Sequence, residues 1–262
     1  MSRGSPLAET LSSKFIPESL PLKKLRWSVF RPQLKKAHQV IDRFNQLLKK
    51  FSNPVKQLQP LLEQEAKNSV GDSGGAKVLR YLQTLRFIIQ KKPPLTLNLL
   101  CTLHKRINKS GPDVGRFRTR QNWIGYEGAP IEEAKFFPPK ASLVPIYMKN
   151  LHSYLDYKEK DPLLQLAIYI AQLLTIHPFM DGNGRVARLC IPLFLYHKGL
   201  TDYPLFFWSG FSRKYHTQYY NRLFALSGKD DWEGWILFFL KGVIAQGEKG
   251  CKKMRSEKSR PS

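Results

Sequence analysis

LLQLAIYIAQLLTIHPFMDGNGRVARLCIPLFLY, residues 163–196, decides how the chain is organised. Residues 163–176 are apolar apart from interruptions such as Gln165 and Gln172, and residues 189–196 form a second apolar run. Both read as buried helices. Between them, residues 177–188 (HPFMDGNGRVAR) hold a histidine, a carboxylate, a Gly-Asn-Gly turn and two arginines. The expected arrangement is a helix, a polar loop, and a second helix whose N-terminus faces a ligand.

The residue types in that loop point to phosphate chemistry. Gly182, Asn183 and Gly184 let the backbone approach a ligand closely and turn its N–H groups outward. A helix beginning there is an anion site through its free N–H groups and positive dipole end. Arg185 and Arg188 stand three residues apart and so share a helix face, a pairing better suited to a polyphosphate than to one carboxylate. Asp181 is placed to hold a Mg²⁺ ion on phosphate oxygens, and His177 to act as a general base. Phe179 is read as a core plug that fixes the loop. Singly, each has a bland reading: a structural histidine at a helix end, a plain turn, solvated arginines, an aspartate N-cap. Their concentration in one short stretch between buried helices favours a site.

Working outward, Leu34, Ala37, Val40, Ile41, Phe44, Leu47 and Leu48 recur at helical spacing behind Pro32, predicting a helix to about Phe51. A second is expected over 55–68, followed by the loop NSVGDSGGAK (68–77), and a third stripe from Val78 to Ile88 ends at Pro93-Pro94. Thr96 is a candidate cap for a helix over 97–107. Residues 116–130 (RFRTRQNWIGYEGAP) read as a protruding β-hairpin, with Phe136-Phe137-Pro138-Pro139 as an extended connector. Further helices are predicted over 143–157, 163–175, 183–197, 212–226 and 232–246. Residues 1–31 read as an ordered arm rather than a helix, and residues 247–262 as a basic, disordered tail. The class is mainly α with one small β-hairpin.

The chain carries 43 basic and 20 acidic residues, a net charge of +23. That surplus attracts polyanions, nucleic acid among them, but no nucleic-acid reading motif accompanies it, and a solvated basic surface is the equal alternative. With 42% hydrophobic residues the chain can build a real core, which excludes global disorder. No apolar run is long enough to span a membrane, and the N-terminus lacks the apolar core of a secretory signal. The expected compartment is therefore cytoplasmic, whether of the producing cell or of a host cell that receives the protein as an effector. Cys101, Cys190 and Cys251 are widely spaced and odd in number, so neither a disulfide nor a zinc site is expected.

HPFMDGNGRVAR resembles the Fic family motif H-P-F-x-[D/E]-G-N-G-R-x-x-R, with every specified position matched. RTRQNWIGYEG and FFPPK resemble the family's target-docking flap, SRKYHTQYYNRL and DDWEGWILFFLKGV its two C-terminal helices. Residues 53–75 are similar to the N-terminal segment of Fic proteins that carry an inhibitory helix. The resemblance implies the Fido fold, a helical bundle with a small β-hairpin, and a layout of N-terminal helices to residue 94, a catalytic core over 95–246 and the tail. It implies transfer of AMP from ATP to a Ser, Thr or Tyr hydroxyl of a protein, self-modification included, with UTP, GTP or CDP-choline as alternative donors. An idle, basic binding protein is the rival reading.

In that scheme His177 deprotonates the target hydroxyl and Asp181 holds Mg²⁺. Gly182, Asn183 and Gly184 cradle the phosphates, and Arg185 and Arg188 hold the β- and γ-phosphates. Gln121, Asn122, Trp123, Ile124 and Gly125 belong to the docking flap, while Tyr219 and Tyr220 border the base. One departure stands out. The family's inhibitory motif is [S/T]-x-x-x-E-[G/N], and in the segment at about 66–76 Ser69 and Gly74 match its ends while Ser73 occupies the glutamate position. Serine cannot pair ionically with Arg188, so Arg188 is expected to be free and autoinhibition weak, unless Asp72 substitutes after a register shift.

Overall fold

The computed structural model describes residues 15–71, 74–111, 113–125 and 131–258. Its centre is helix α7 (Pro162–Ile176), in which every residue from Leu163 onward is buried. A helix apolar all round has no solvent face and must be surrounded. Each buried leucine or isoleucine there contributes about 1.5–3 kcal/mol. Asp161 starts the helix, its carboxylate accepting the Leu163 N–H at 2.8 Å. The two glutamines that interrupt the apolar run tie neighbouring segments to it. Gln165 Nε2 donates to the carbonyls of Tyr154 (2.6 Å) and Tyr157 (2.8 Å), and Gln172 Nε2 to that of Glu18 (2.6 Å).

Around α7 lie α1 (Arg31–Leu48), the short α2 (Pro54–Gln57), α3 (Gln59–Val70), α4 (Gly75–Lys91), α5 (Leu97–Ile107) and α6 (Val144–Ser153). After the loop come α8 (Asn183–His197), α9 (Ser209–Lys214), α10 (His216–Lys229) and α11 (Trp232–Lys258). Thr96 caps α5 as expected, accepting the Leu99 N–H at 3.1 Å. Trp235 of α11 donates its indole N–H to Ala167 O of α7 at 2.8 Å. Within the described part of the arm, Asn150 bonds both the N–H and the carbonyl of Leu20. The molecule is mainly helical, as its periodicity predicts.

Three expectations need correction. Residues 247–258, read as a disordered tail, continue α11, with Gly247, Gly250, Cys251 and Met254 buried. The reason is tertiary: α11 lies along α1, and at Gly250 an added Cβ would come 2.6 Å from the Phe44 ring, so glycine lets the two helices close up. Among the described residues the hairpin is reduced to one antiparallel bridge between Ile124 and Phe136, with N–H···O bonds of 2.9 and 3.1 Å. Pro138 and Pro139 have no N–H to extend the ladder, and residues 126–130 lie outside the described residues. The helix expected over 212–226 is two, α9 and α10, broken at Tyr215. Cys101, Cys190 and Cys251 are free thiols, the last two buried.

Candidate active site

His177 ends α7 in the left-handed conformation (φ 51°), which turns the chain sharply into the loop. Its Nδ1 lies 3.1 Å from the Leu174 carbonyl. A carbonyl only accepts, so that bond assigns the proton to Nδ1 and leaves Nε2 with its lone pair. Burial pushes the imidazole down to about 4, an effect partly offset by the Leu174 bond. The residue keeps part of its surface open to the cleft, and its ring is neutral at neutral pH. A neutral ring with a free Nε2 is a base.

The loop is held from both sides by residues that sequence reasoning missed. The buried Arg118 donates from Nε to His177 O at 2.9 Å and from its terminal nitrogens to the carbonyls of Arg120, Pro139 and Ile176. Its own N–H bonds Pro178 O at 2.8 Å. Burial lowers this guanidinium to about 10, so it stays charged at neutral pH. His104 accepts the Gly115 N–H on Nδ1 (2.9 Å) and donates from Nε2 to Asp181 O (3.0 Å), while its ring stacks on Phe179 at 4.1 Å. Phe179 is fully buried, as its reading as a core plug requires. Buried arginines and histidines far along the chain carry no local signal; only their rarity inside a core marks them.

Several site residues do something other than expected. Asn183, read as part of the phosphate cradle, spends its side chain inside the loop, accepting the Phe179 N–H (2.9 Å) and donating to Phe179 O (2.7 Å). What remains for an anion is the N-terminus of α8, whose first N–H groups have no partner within the helix. Gly182 stands at φ 80°, and a Cβ there would meet Asn108 Nδ2 at 3.0 Å and Arg185 at 3.3 Å. Gly182→Ala is therefore expected to lower stability by about 1–3 kcal/mol, read as a shifted urea midpoint. Asp181 is exposed, accepting the Gly182 N–H (2.5 Å) and pairing with Arg185 (2.6 Å), whose own side chain is largely covered.

Arg188, expected to be free, is engaged. Its Nε donates to Ser69 Oγ at 2.9 Å and its Nη2 to Ser69 O at 2.8 Å. The restraint comes from Ser69, the first position of the inhibitory-like motif; Asp72 and Ser73 lie outside the described residues, and Gly74 (φ 94°) precedes α4. Of the flap, Gln121 and Asn122 are buried braces: Gln121 Nε2 bonds Pro138 O and Asn122 Nδ2 bonds Phe179 O, both at 3.0 Å. Trp123, Ile124 and Gly125 instead line a cleft of about 500 Å³ with His177, Asp181 and the α8 N-terminus. Tyr220 borders the same cleft, whereas Tyr219 is buried against Trp208 and Trp235. A neutral imidazole, the N-terminus of α8 and two arginines thus meet in one space.

Among the described residues no group of three or more His, Cys, Asp or Glu side chains stands ready for a metal, and no helix is long and apolar enough to cross a membrane. Residues 94–195 match the family model described as Fic/DOC family. The Caenorhabditis elegans protein adenylyltransferase fic-1 is 28% identical over 126 residues, 46% of this chain and 23% of that protein. A probable protein adenylyltransferase of Aquifex aeolicus is 37% identical over 70 residues, 26% of this chain and 22% of that protein. The matches thus span about a quarter of the length of these curated relatives. The structure of a Fic family protein from Desulfovibrio desulfuricans superposes with a TM-score of 0.72 at 16% identity, covering 92% of this chain and 78% of that one. The loop built on His177 and Arg188 lies inside residues 94–195, the part of the chain that is similar to the Fic/DOC family.

Proposed function

We propose that the protein transfers AMP from ATP to a hydroxyl side chain of a protein, with residues 95–246 as its catalytic core. The observation that carries this reading is the shared cleft of His177 and the α8 N-terminus, with Nε2 of the histidine free to take a proton. The target hydroxyl oxygen attacks the α-phosphorus of ATP while His177 Nε2 accepts its proton. The bond from the α-phosphorus to the bridging oxygen breaks, and pyrophosphate leaves. Positioning and charge neutralisation supply most of the rate in such transfers. The α8 N–H groups hold phosphate oxygens, and Arg185 and Arg188 hold the β- and γ-phosphates. Ile124 spends its own N–H and carbonyl on Phe136, so its neighbours Trp123 and Gly125 offer the backbone edge to which the target segment adds as a strand.

Asp181 is a single exposed carboxylate, which fits Mg²⁺ carried in on the nucleotide's own phosphates rather than held in an all-protein cage. Such an ion supplies charge neutralisation. On nucleotide entry Arg185 exchanges Asp181 for phosphate, and Arg188 exchanges Ser69 for the γ-phosphate. The neutral hydroxyl and carbonyl of Ser69 hold Arg188 more weakly than a carboxylate would, which supports weak autoinhibition.

Incubation with α-³²P-ATP, Mg²⁺ and a cell lysate tests the reading: labelled protein and released pyrophosphate are expected, and label in neither the enzyme nor any lysate protein refutes it. GTP or UTP outcompeting ATP would change the donor. Installing the missing carboxylate, Ser73→Glu, should reduce self-modification about tenfold or more, since charged bonds are worth about 1.5–3 kcal/mol. Equal activity of the variant and the parent would remove Ser73 from the regulatory account.

A further inference from the structure

On the side of α3 opposite the cleft, a groove of about 400 Å³ separates that helix from α11. Its floor is apolar, built from Phe44, Leu61, Leu205, Phe206 and Phe207. One wall is a face of α11 bearing Lys249, Lys252 and Lys253, spaced so that all three share a side. The other is the outer face of α3, where Pro60, Gln64 and Asn68 line the groove. Lys249 and Lys252 are exposed; Lys253 pairs with Glu257 at 3.0 Å. A cleft of this size with an apolar floor is of the class that takes small ligands, and lysines along one rim select the charge of the head group.

We propose that this groove binds an anionic amphiphile, an apolar chain on its aromatic floor with a carboxylate or phosphate head against Lys249 and Lys252. The occupant would not be isolated from the cleft. Glu65 reaches the groove from α3 and is bonded to Tyr81 and to Ser209. One turn further along the same helix, Ser69 holds Arg188. A ligand that fits the groove as it stands selects the position of α3 in which Ser69 keeps Arg188. It therefore opposes triphosphate binding, and by reciprocity the nucleotide opposes the amphiphile. This coupling rests on the proposed function; the binding itself does not.

Titration calorimetry of the full chain with dodecanoate below its micelle concentration tests both parts. Binding at one site is expected, about tenfold or more weaker for dodecyltrimethylammonium and for a Lys249→Glu/Lys252→Glu variant. Lys35→Glu/Lys36→Glu, on the exposed face of α1, should bind as the parent does. Equal affinity for both head groups, unchanged affinity in the α11 variant, a loss in the α1 variant to match it, or many equivalent sites would overturn the site. Repeating the titration with saturating Mg-ATP should weaken dodecanoate binding. If dodecanoate binds the groove but ATP leaves its affinity unchanged although ATP itself binds, the coupling fails and the site stands. If ATP does not bind at all, the proposed function fails instead.

Discussion

His177→Ala is expected to lower label transfer from α-³²P-ATP by about 10²–10⁴-fold, with the melting temperature close to that of the parent. The ring meets the requirements of a base before any substrate arrives: Nδ1 is committed to Leu174 O, and burial holds the group down to about 4. The pH profile follows from the sign of that shift. A folded-state value below the ordinary 6.5 means that the neutral, competent form persists through pH 6.5 and is lost only towards 4. The acid limb of kcat/KM for the parent should accordingly lie well below 6.5. The same shift acts on stability. Between 6.5 and about 4 the unfolded chain takes up the proton that the folded one refuses, so His177 makes stability fall as pH falls through that window. An acid limb at 6.5 or above, lost in the alanine variant, would show a ring open to water. A variant with unaltered transfer would remove His177 from the chemistry.

Arg118→Ala is expected to be the most damaging single change to the fold, costing about 3–5 kcal/mol and lowering the melting temperature by roughly 10 °C. Arg118 is 2% exposed, and its guanidinium serves four carbonyls, those of Arg120, Pro139, Ile176 and His177. Truncation leaves acceptors buried without donors at the point where α7 enters the loop. Arg118→Lys should restore little, because an ammonium group is compact and cannot span a planar fork of acceptors. Circular-dichroism melts of the three proteins decide this, and an alanine variant as stable as the parent would sink it. The two variants are expected to separate roles that share one loop: loss of rate with the fold intact for His177→Ala, loss of the fold itself for Arg118→Ala.

The legible parts of the molecule are those whose cause is local. The all-apolar run of residues 163–176 has one stable solution, a surrounded helix, and α7 is that helix. Thr96 before Leu97 caps α5 because an N-cap bond needs only its own turn. The Gly-Asn-Gly turn, Phe179 and the arginine pair were readable because spacing alone sets where a short loop and the first turns of a helix place them. Residue type, however, did not reveal which polar groups are spent internally. Asn183, Gln121 and Asn122 looked like ligand contacts and instead brace the loop, since a buried turn must satisfy its own carbonyls first. The basic end of α11 reads as a tail because its charged residues hide buried Gly247 and Gly250, whose neighbours Val40 and Phe44 lie on α1.

The sequence by itself determined the central helix, the loop and the kind of chemistry the loop can hold, because these depend on neighbours a few residues apart. Only the tertiary structure decided the state of the arginine. Ser69 and Arg188 are 119 positions apart, and Arg118 and His177 are 59 apart. Side chains so distant meet only after helices pack, and packing is fixed by shape and burial over the whole chain.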